Sequence, residues 1–224
     1  FLLLIVIQSL LNFSSADIGG DYVKSRATHY GSPEQNVGAC GYGSFGRNIN
    51  INAAGASQYI YNNGIGCGAC YQVRCIYEEL CIHDGIRIIV TDLAEGNQTD
   101  LTMSSTAFSD LAKHNKANQL MQRGVVDIEL KRISCEYPGH NLTVKIDESS
   151  NFPDYLALVF WYRGGKKDLL GVQLFEENSE ENIQMKRNHG TVWDLVSPPK
   201  VALGIRFFLV GYHRAGFEWV KVAN

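Results

Sequence analysis

Two kinds of hydrophobic spacing alternate along the chain, and both belong to strands. Ile86, Ile88, Ile89 and Val90 form a nearly unbroken β-branched run, which predicts a buried strand over residues 85–91. Val126, Ile128 and Leu130 alternate with Asp127, Glu129 and Lys131, and Leu142, Val144 and Ile146 alternate again, which predicts half-exposed strands. Residues 27–31 read as a short strand ending in a turn, and residues 71–74 alternate bulky and polar. One segment breaks the rhythm. Over residues 104–121, Phe108, Leu111 and Ala112 share a face, Ser104 or Ser105 supplies an N-cap, and Gly124 ends the segment, so a helix is predicted. Residues 53–61 have mixed propensity, with room for one helical turn. A polar break at residues 147–153 follows, and the domain boundary is placed there. Beyond it, strand-like runs at 155–162, 169–175, 201–210 and 217–222 have the spacing of a small antiparallel sandwich. The pattern predicts an all-β chain of two domains, residues 17–150 and 151–224.

The cysteines sharpen this picture. Four of six lie between Cys67 and Cys81, with Cys40 and Cys135 far away on either side. Cys67 and Cys70 have the spacing of a redox or zinc pair. Zinc needs four ligands, usually from a second close pair, and Cys75 and Cys81 are not spaced like one; no βαβ pattern follows for a thioredoxin-like site. Residues 1–7 are an unbroken apolar run, extended by Leu10 and Leu11 and followed by Ser14, Ser15 and Ala16, which reads as a secretory signal peptide ending at Ala16. The run is shorter than the ~20 residues of a membrane span, and it lacks an initiator Met and a basic region, so it reads as N-terminally incomplete. Behind a signal peptide, an even cysteine count implies disulfides, with fifteen pairings open for six cysteines. The sequons at Asn97 and Asn141 are glycosylation candidates in that compartment.

Charge and motifs exclude several classes of function. A net charge of −3 with no basic stripe argues against nucleic acid. Gly-x-Ser-x-Gly is absent, the six histidines are scattered without ligand spacing, and no phosphate-cradling loop opens a helix, so no metal or cofactor is expected. Carboxylates remain. Asp92 stands where the buried strand meets a polar loop, with Glu95 and Asp100 nearby; a loop-capping role accounts for Asp92 equally well.

The stretches Ala27-Thr28-His29-Tyr30-Gly31, Gly38 to Gly43, Gly66 to Cys75, Val90-Thr91-Asp92 and Thr106-Ala107-Phe108 resemble the plant expansin superfamily. Residues 152–157 and 190–194 resemble its second domain, as found in the expansin-like B subgroup. The resemblance implies a six-stranded double-psi β-barrel akin to inverting endoglucanases, followed by an immunoglobulin-like β-sandwich that binds wall polysaccharide. It implies the disulfides Cys40–Cys67, Cys70–Cys135 and Cys75–Cys81, and no cofactor. Thr28, Tyr30 and Asp92 match polysaccharide-groove positions; Tyr162 and Trp193 match aromatics on the second domain's binding surface, although composition alone places both in the core. Where expansins proper carry His-Phe-Asp before the helix, this chain has Asp100, Leu101 and Thr102, so the second acidic residue of the groove is a threonine. The family also continues into another strand where this sequence ends at Asn224.

The leading expectation is a secreted, monomeric plant cell-wall protein that binds cellulose or matrix glucan or xylan and loosens or remodels the wall without hydrolysis. The alternatives are a weak inverting glycoside hydrolase, with Asp92 as acid and Glu95 or Asp100 as base, and a barwin-like carbohydrate-binding or defence module.

Overall fold

The computed structural model describes residues 21–30, 38–43, 52–94, 96, 98–176, 182–201, 203–210 and 217–218. The segment ending at Ala16, and Glu95 and Asn97, lie outside these. The first unit is a closed barrel of β1 (Val23–His29), β2 (Asn52–Ala56), β3 (Cys70–Cys75), β4 (Ile86–Leu93), β5 (Leu101–Met103) and β6 (Val125–Ile133). Around the barrel the order is β1-β5-β2-β4-β3-β6. The β1–β5 and β2–β4 pairs are parallel and the others antiparallel. Closure leaves no strand edge open. Ile88, Val90, Leu101, Met103, Val126 and Ile128 fill the interior, each at most 1% exposed.

The second unit is a sandwich. One sheet is β11 (Lys186–His189), β12 (Val192–Val196), β8 (Tyr155–Trp161) and β7 (Thr143–Ile146); the other is β10 (Asn182–Gln184), β9 (Leu169–Glu176), β13 (Leu203–Leu209) and β14 (Phe217–Glu218). Leu158, Phe160, Leu174, Met185 and Ile205 form the core between them. β7 pairs with β8 from Thr143↔Trp161 to Ile146↔Leu158. The second unit therefore begins by Thr143, ahead of the boundary expected at residues 147–153: that polar stretch is the turn joining β7 to β8.

The predicted 104–121 helix is two short helices, α2 (Ser105–Asp110) and α3 (Ala117–Arg123), after α1 (Gln58–Tyr61) at the end of β2. The break has a cause. Ile82 N–H donates to Leu111 O and Lys113 N–H to Leu80 O, so the loop carrying Cys81 takes backbone groups a continuous helix would use itself. Ser104 Oγ accepts from Ala107 N–H at 3.1 Å. Ser104→Ala should cost about 1 kcal/mol, read as a lowered denaturation midpoint with an unchanged m-value; no shift would show the cap to be redundant.

Cys40–Cys67, Cys70–Cys135 and Cys75–Cys81 are disulfide-bonded, the pairings the resemblance implies. The first two fix how the units dock. Thr191 donates from its N–H (2.9 Å) and its hydroxyl (2.8 Å) to Cys40 O. Cys135 and Gly165 exchange both backbone hydrogen bonds, at 2.8 and 3.0 Å. Gly190 lies so close to the Cys40 backbone that a Cβ there would overlap it. Both contacts thus land on cysteines tied to one turn, Cys67 to Cys70, and Arg132–Asp168 adds an ion pair at 2.8 Å. Ala157, Val159 and Val192, on the outer face of the β11-β12-β8-β7 sheet, join the barrel's apolar cluster rather than the sandwich core.

Candidate functional site

Strand register builds a row across the barrel wall. Thr28 of β1 lies opposite Thr102 of β5, Thr102 opposite Gly55 of β2, and Gly55 opposite Asp92 of β4. Directly opposed residues share a face of the sheet, so these four positions form one line. The Asp92 end depends on a bulge. Ala54 pairs with Val90 but Gly55 pairs with Asp92, so Thr91 is the extra residue that brings the carboxylate into line. Gly55 leaves the middle of the row without a side chain, and Tyr30 fills that space: a Cβ on Gly55 would strike the Tyr30 hydroxyl. The sequence gives no sign of Gly55's part, because only the register shows which strands flank it.

Each polar group has a defined commitment. Asp92 Oδ1 accepts from Ala39 N–H at 2.5 Å and Leu93 N–H at 2.8 Å, so the loop-capping role is real. Oδ2 accepts no bond among the described residues and is available to a ligand hydroxyl. Thr28 donates to Gly124 O at 2.7 Å and keeps acceptor capacity. Asp100 does not join the row. Its two oxygens accept from Ser57 Oγ at 2.9 Å and Ser25 Oγ at 2.6 Å, tying β1 to the end of β2. Tyr61 donates to Ala39 O at 3.2 Å; burial and then the charge of Asp92 raise its pKa, so it stays protonated.

In the second unit the structure separates the two predicted aromatics. Trp193 is 2% exposed and belongs to the sandwich core. This corrects its placement on a binding surface. Alternation along β12 turns Val192 and Asp194 outward and Trp193 inward, and the Arg187 guanidinium covers its ring at 4.3 Å. Tyr162 is half-buried at the junction of the units. His140 stacks on its ring at 4.2 Å and 7°, and Tyr137 meets it edge-on at 5.4 Å.

Tyr155 is an outward aromatic that sequence reasoning missed. Leu156, Leu158 and Phe160 face the sandwich core, which sets Tyr155, Ala157, Val159 and Trp161 on the opposite face; that alternation was the signal. Tyr155 donates to Asp194 Oδ2 at 2.8 Å, and Asn188 Nδ2 donates to the same oxygen at 2.6 Å. Burial and then Asp194 raise the Tyr155 pKa, keeping it a neutral donor. Asn188 Oδ1 meets His189 Nδ1 at 2.9 Å, and His189 lies against Gly41. His189 thus lies between the Ala39–Gly41 segment that Asp92 holds and the Asn188–Asp194–Tyr155 cluster. Asn141 is exposed, with Thr143 donating to its carbonyl at 3.1 Å. Among the described residues no three His, Cys, Asp or Glu side chains converge on a common point.

Comparison with known proteins accounts for both units. The family model for the expansin C-terminal domain matches residues 142–222, and the double-psi β-barrel model described as lytic transglycolase matches residues 52–130. The chain is 42% identical over 227 residues to Expansin-like B1 of Arabidopsis thaliana, covering 100% of this chain and 90% of that one. Against Expansin-like B1 of Oryza sativa subsp. japonica it is 40% identical, covering 98% and 88%. An expansin of Clavibacter michiganensis, solved as the apo protein and as a mutant in complex with cellohexaose, shares the fold at a TM-score of 0.69 and 19% identity, covering 91% of this chain and 93% of that one.

Proposed function

This chain belongs to the expansin family, and on that premise we propose that it binds a cell-wall polysaccharide as an extended strand lying across both units and does not hydrolyse it. The observation that carries this reading is the register row, which holds one carboxylate, Asp92, with Thr102 on the far side of Gly55. Thr28, Tyr30 and Asp92 supply the barrel's contacts. Tyr155, with Asn188 and Asp194, supplies the sandwich's, in place of Trp193. An aromatic face matches the apolar face of a sugar ring, and the polar groups around it match the hydroxyls at the ring's edge. The cellohexaose bound to the Clavibacter expansin supports a β-glucan strand as ligand. Family membership and the closed disulfides support secretion to the wall, where an oxidising compartment keeps such bonds intact. Loosening or remodelling of the wall is the action this binding would serve.

Retention on insoluble cellulose and xylan tests the reading. Tyr155→Ala should lower retention roughly three- to tenfold, the worth of one aromatic contact, with the circular dichroism spectrum unchanged. Full retention by the folded variant would remove Tyr155 from the binding surface.

A further inference from the structure

A cavity lies on the β3–β6 wall of the barrel, about four residues, or roughly 13 Å, along β6 from Val125, the partner of Thr28. Its volume is about 420 Å³, within the roughly 300–1,000 Å³ of small-molecule sites. Arg74, Lys113, Glu78, Glu129, Ile76 and Ile82 line it, over the Cys75–Cys81 disulfide. The walls are fixed. The disulfide closes the 76–80 loop, Gln72 Nε2 donates to Asp84 O at 2.6 Å, and Gly85 packs on the Val73 carbonyl where no Cβ fits.

Two cations in this cavity have no counter-ion among the described residues. Arg74 stands directly opposite Glu129, yet makes no ion pair with it: its guanidinium lies 4.2 Å over the Tyr22 ring instead. Its Nε is buried and meets no acceptor among the described residues. Lys113 likewise makes no ion pair among the described residues. Arg74 and Lys113 thus bring to the lining positive charge that no carboxylate among the described residues neutralises, and a ligand carboxylate there gains charge-assisted hydrogen bonds. Glu78 and Glu129 restrict what that ligand is. Two carboxylates on the lining repel a dianion such as phosphate, but accept hydroxyls from a monoanion that carries them. Ile76 and Ile82 offer apolar surface for the carbon face of a ring.

We propose that this cavity is a second carbohydrate site, specific for a uronate, whose carboxylate meets Arg74 and Lys113 and whose hydroxyls donate to Glu78 and Glu129. It shares no residue with the glucan-binding row and rests only on the wall-protein setting of that reading. The test is titration of isotope-labelled, disulfide-intact protein with three probes, followed by amide NMR: trigalacturonate, a glucuronate-bearing xylo-oligosaccharide, and neutral cellotriose. One or both uronates should give saturable shifts at residues 74–83 and 113, and the two arms tell which source of uronate the site takes. Cellotriose should leave those amides unmoved. Arg74→Gln and Lys113→Gln should each weaken uronate binding about tenfold, the worth of one charge-assisted contact. Lys113 is exposed, so its variant folds even if loss of the Arg74–Tyr22 contact disturbs the other. Absence of saturable shifts, equal shifts with cellotriose, or unaltered affinity in Lys113→Gln would overturn the site. Retention on cellulose, measured on the same samples, reports separately on the glucan reading.

Discussion

Arg187→Ala should cost about 3 kcal/mol of stability and release the second unit from the first. Arg187 sits on β11 with its guanidinium turned into the protein. It donates to Gly64 O in the barrel at 3.3 Å, and also to Gly190 O and to Leu169 O, which belongs to the opposite sheet. Its face covers Trp193 at 4.3 Å. One side chain therefore joins the barrel, both sheets of the sandwich and the largest core aromatic. Burial, and then the nearby charge of Arg163, lower its pKa to about 10, so it remains a cation at neutral pH. Alanine would leave three carbonyls without these donors and open a void beside Trp193. Arg187→Lys keeps the charge but not the fork, and should recover only part of the loss. Denaturant unfolding gives the magnitude, and small-angle scattering shows whether the units separate. A single cooperative transition within 1 kcal/mol of wild type, with an unchanged radius of gyration, would show that the backbone contacts at Cys40 and Cys135 hold the units unaided.

Those contacts explain why the glycine- and cysteine-rich stretch around residues 66–75 stood out in the sequence. Cys67 and Cys70, three residues apart, anchor the two distant cysteines on which the second unit docks. Four of the barrel strands were equally legible, because buried β-branched runs and strict alternation have few other readings; β2, Asn52–Ala56, was not, since its small residues carry no strand pattern, nor was β5, Leu101–Met103, which is only three residues long. What was illegible has particular causes. β11, Lys186–His189, is entirely polar because it is an edge strand whose inward residue is an arginine, so no hydrophobic period marks it. Trp193 looked like a surface residue by resemblance, whereas its own strand register turns it inward. Asp92 was legible as a residue but not as a position, since the Thr91 bulge that aims it exists only once β2 and β4 are paired.

The wild-type protein should release no reducing sugar from cellulose or xylan, and Asp92 variants should alter binding rather than turnover. Inverting hydrolysis needs an acid to protonate the leaving oxygen and a base to activate water, with carboxyls roughly 6.5–9.5 Å apart. Asp92 and Thr102 are separated by two strand spacings, about 9.5 Å between backbones, the region where a partner carboxylate would stand. The Thr102 hydroxyl does not titrate near neutral pH and cannot act as the base. Asp100 is no substitute, because two serine hydroxyls occupy its oxygens at the β1–β2 junction. The Asp92 substitutions then divide by what they remove. Asp92→Asn retains an oxygen for Ala39 N–H and Leu93 N–H, so stability should hold while glucan retention falls severalfold with the loss of a charged acceptor. Asp92→Ala leaves both amides without that acceptor, costs about 2 kcal/mol, and loosens the Ala39–Cys40 segment on which Thr191 docks. Thr102→Asp alone should not create an efficient hydrolase, since a misplacement of about 1 Å already costs on the order of a hundredfold in rate. Sustained reducing-sugar release by the wild type that disappears in Asp92→Asn would reverse this reading and make the row an active site.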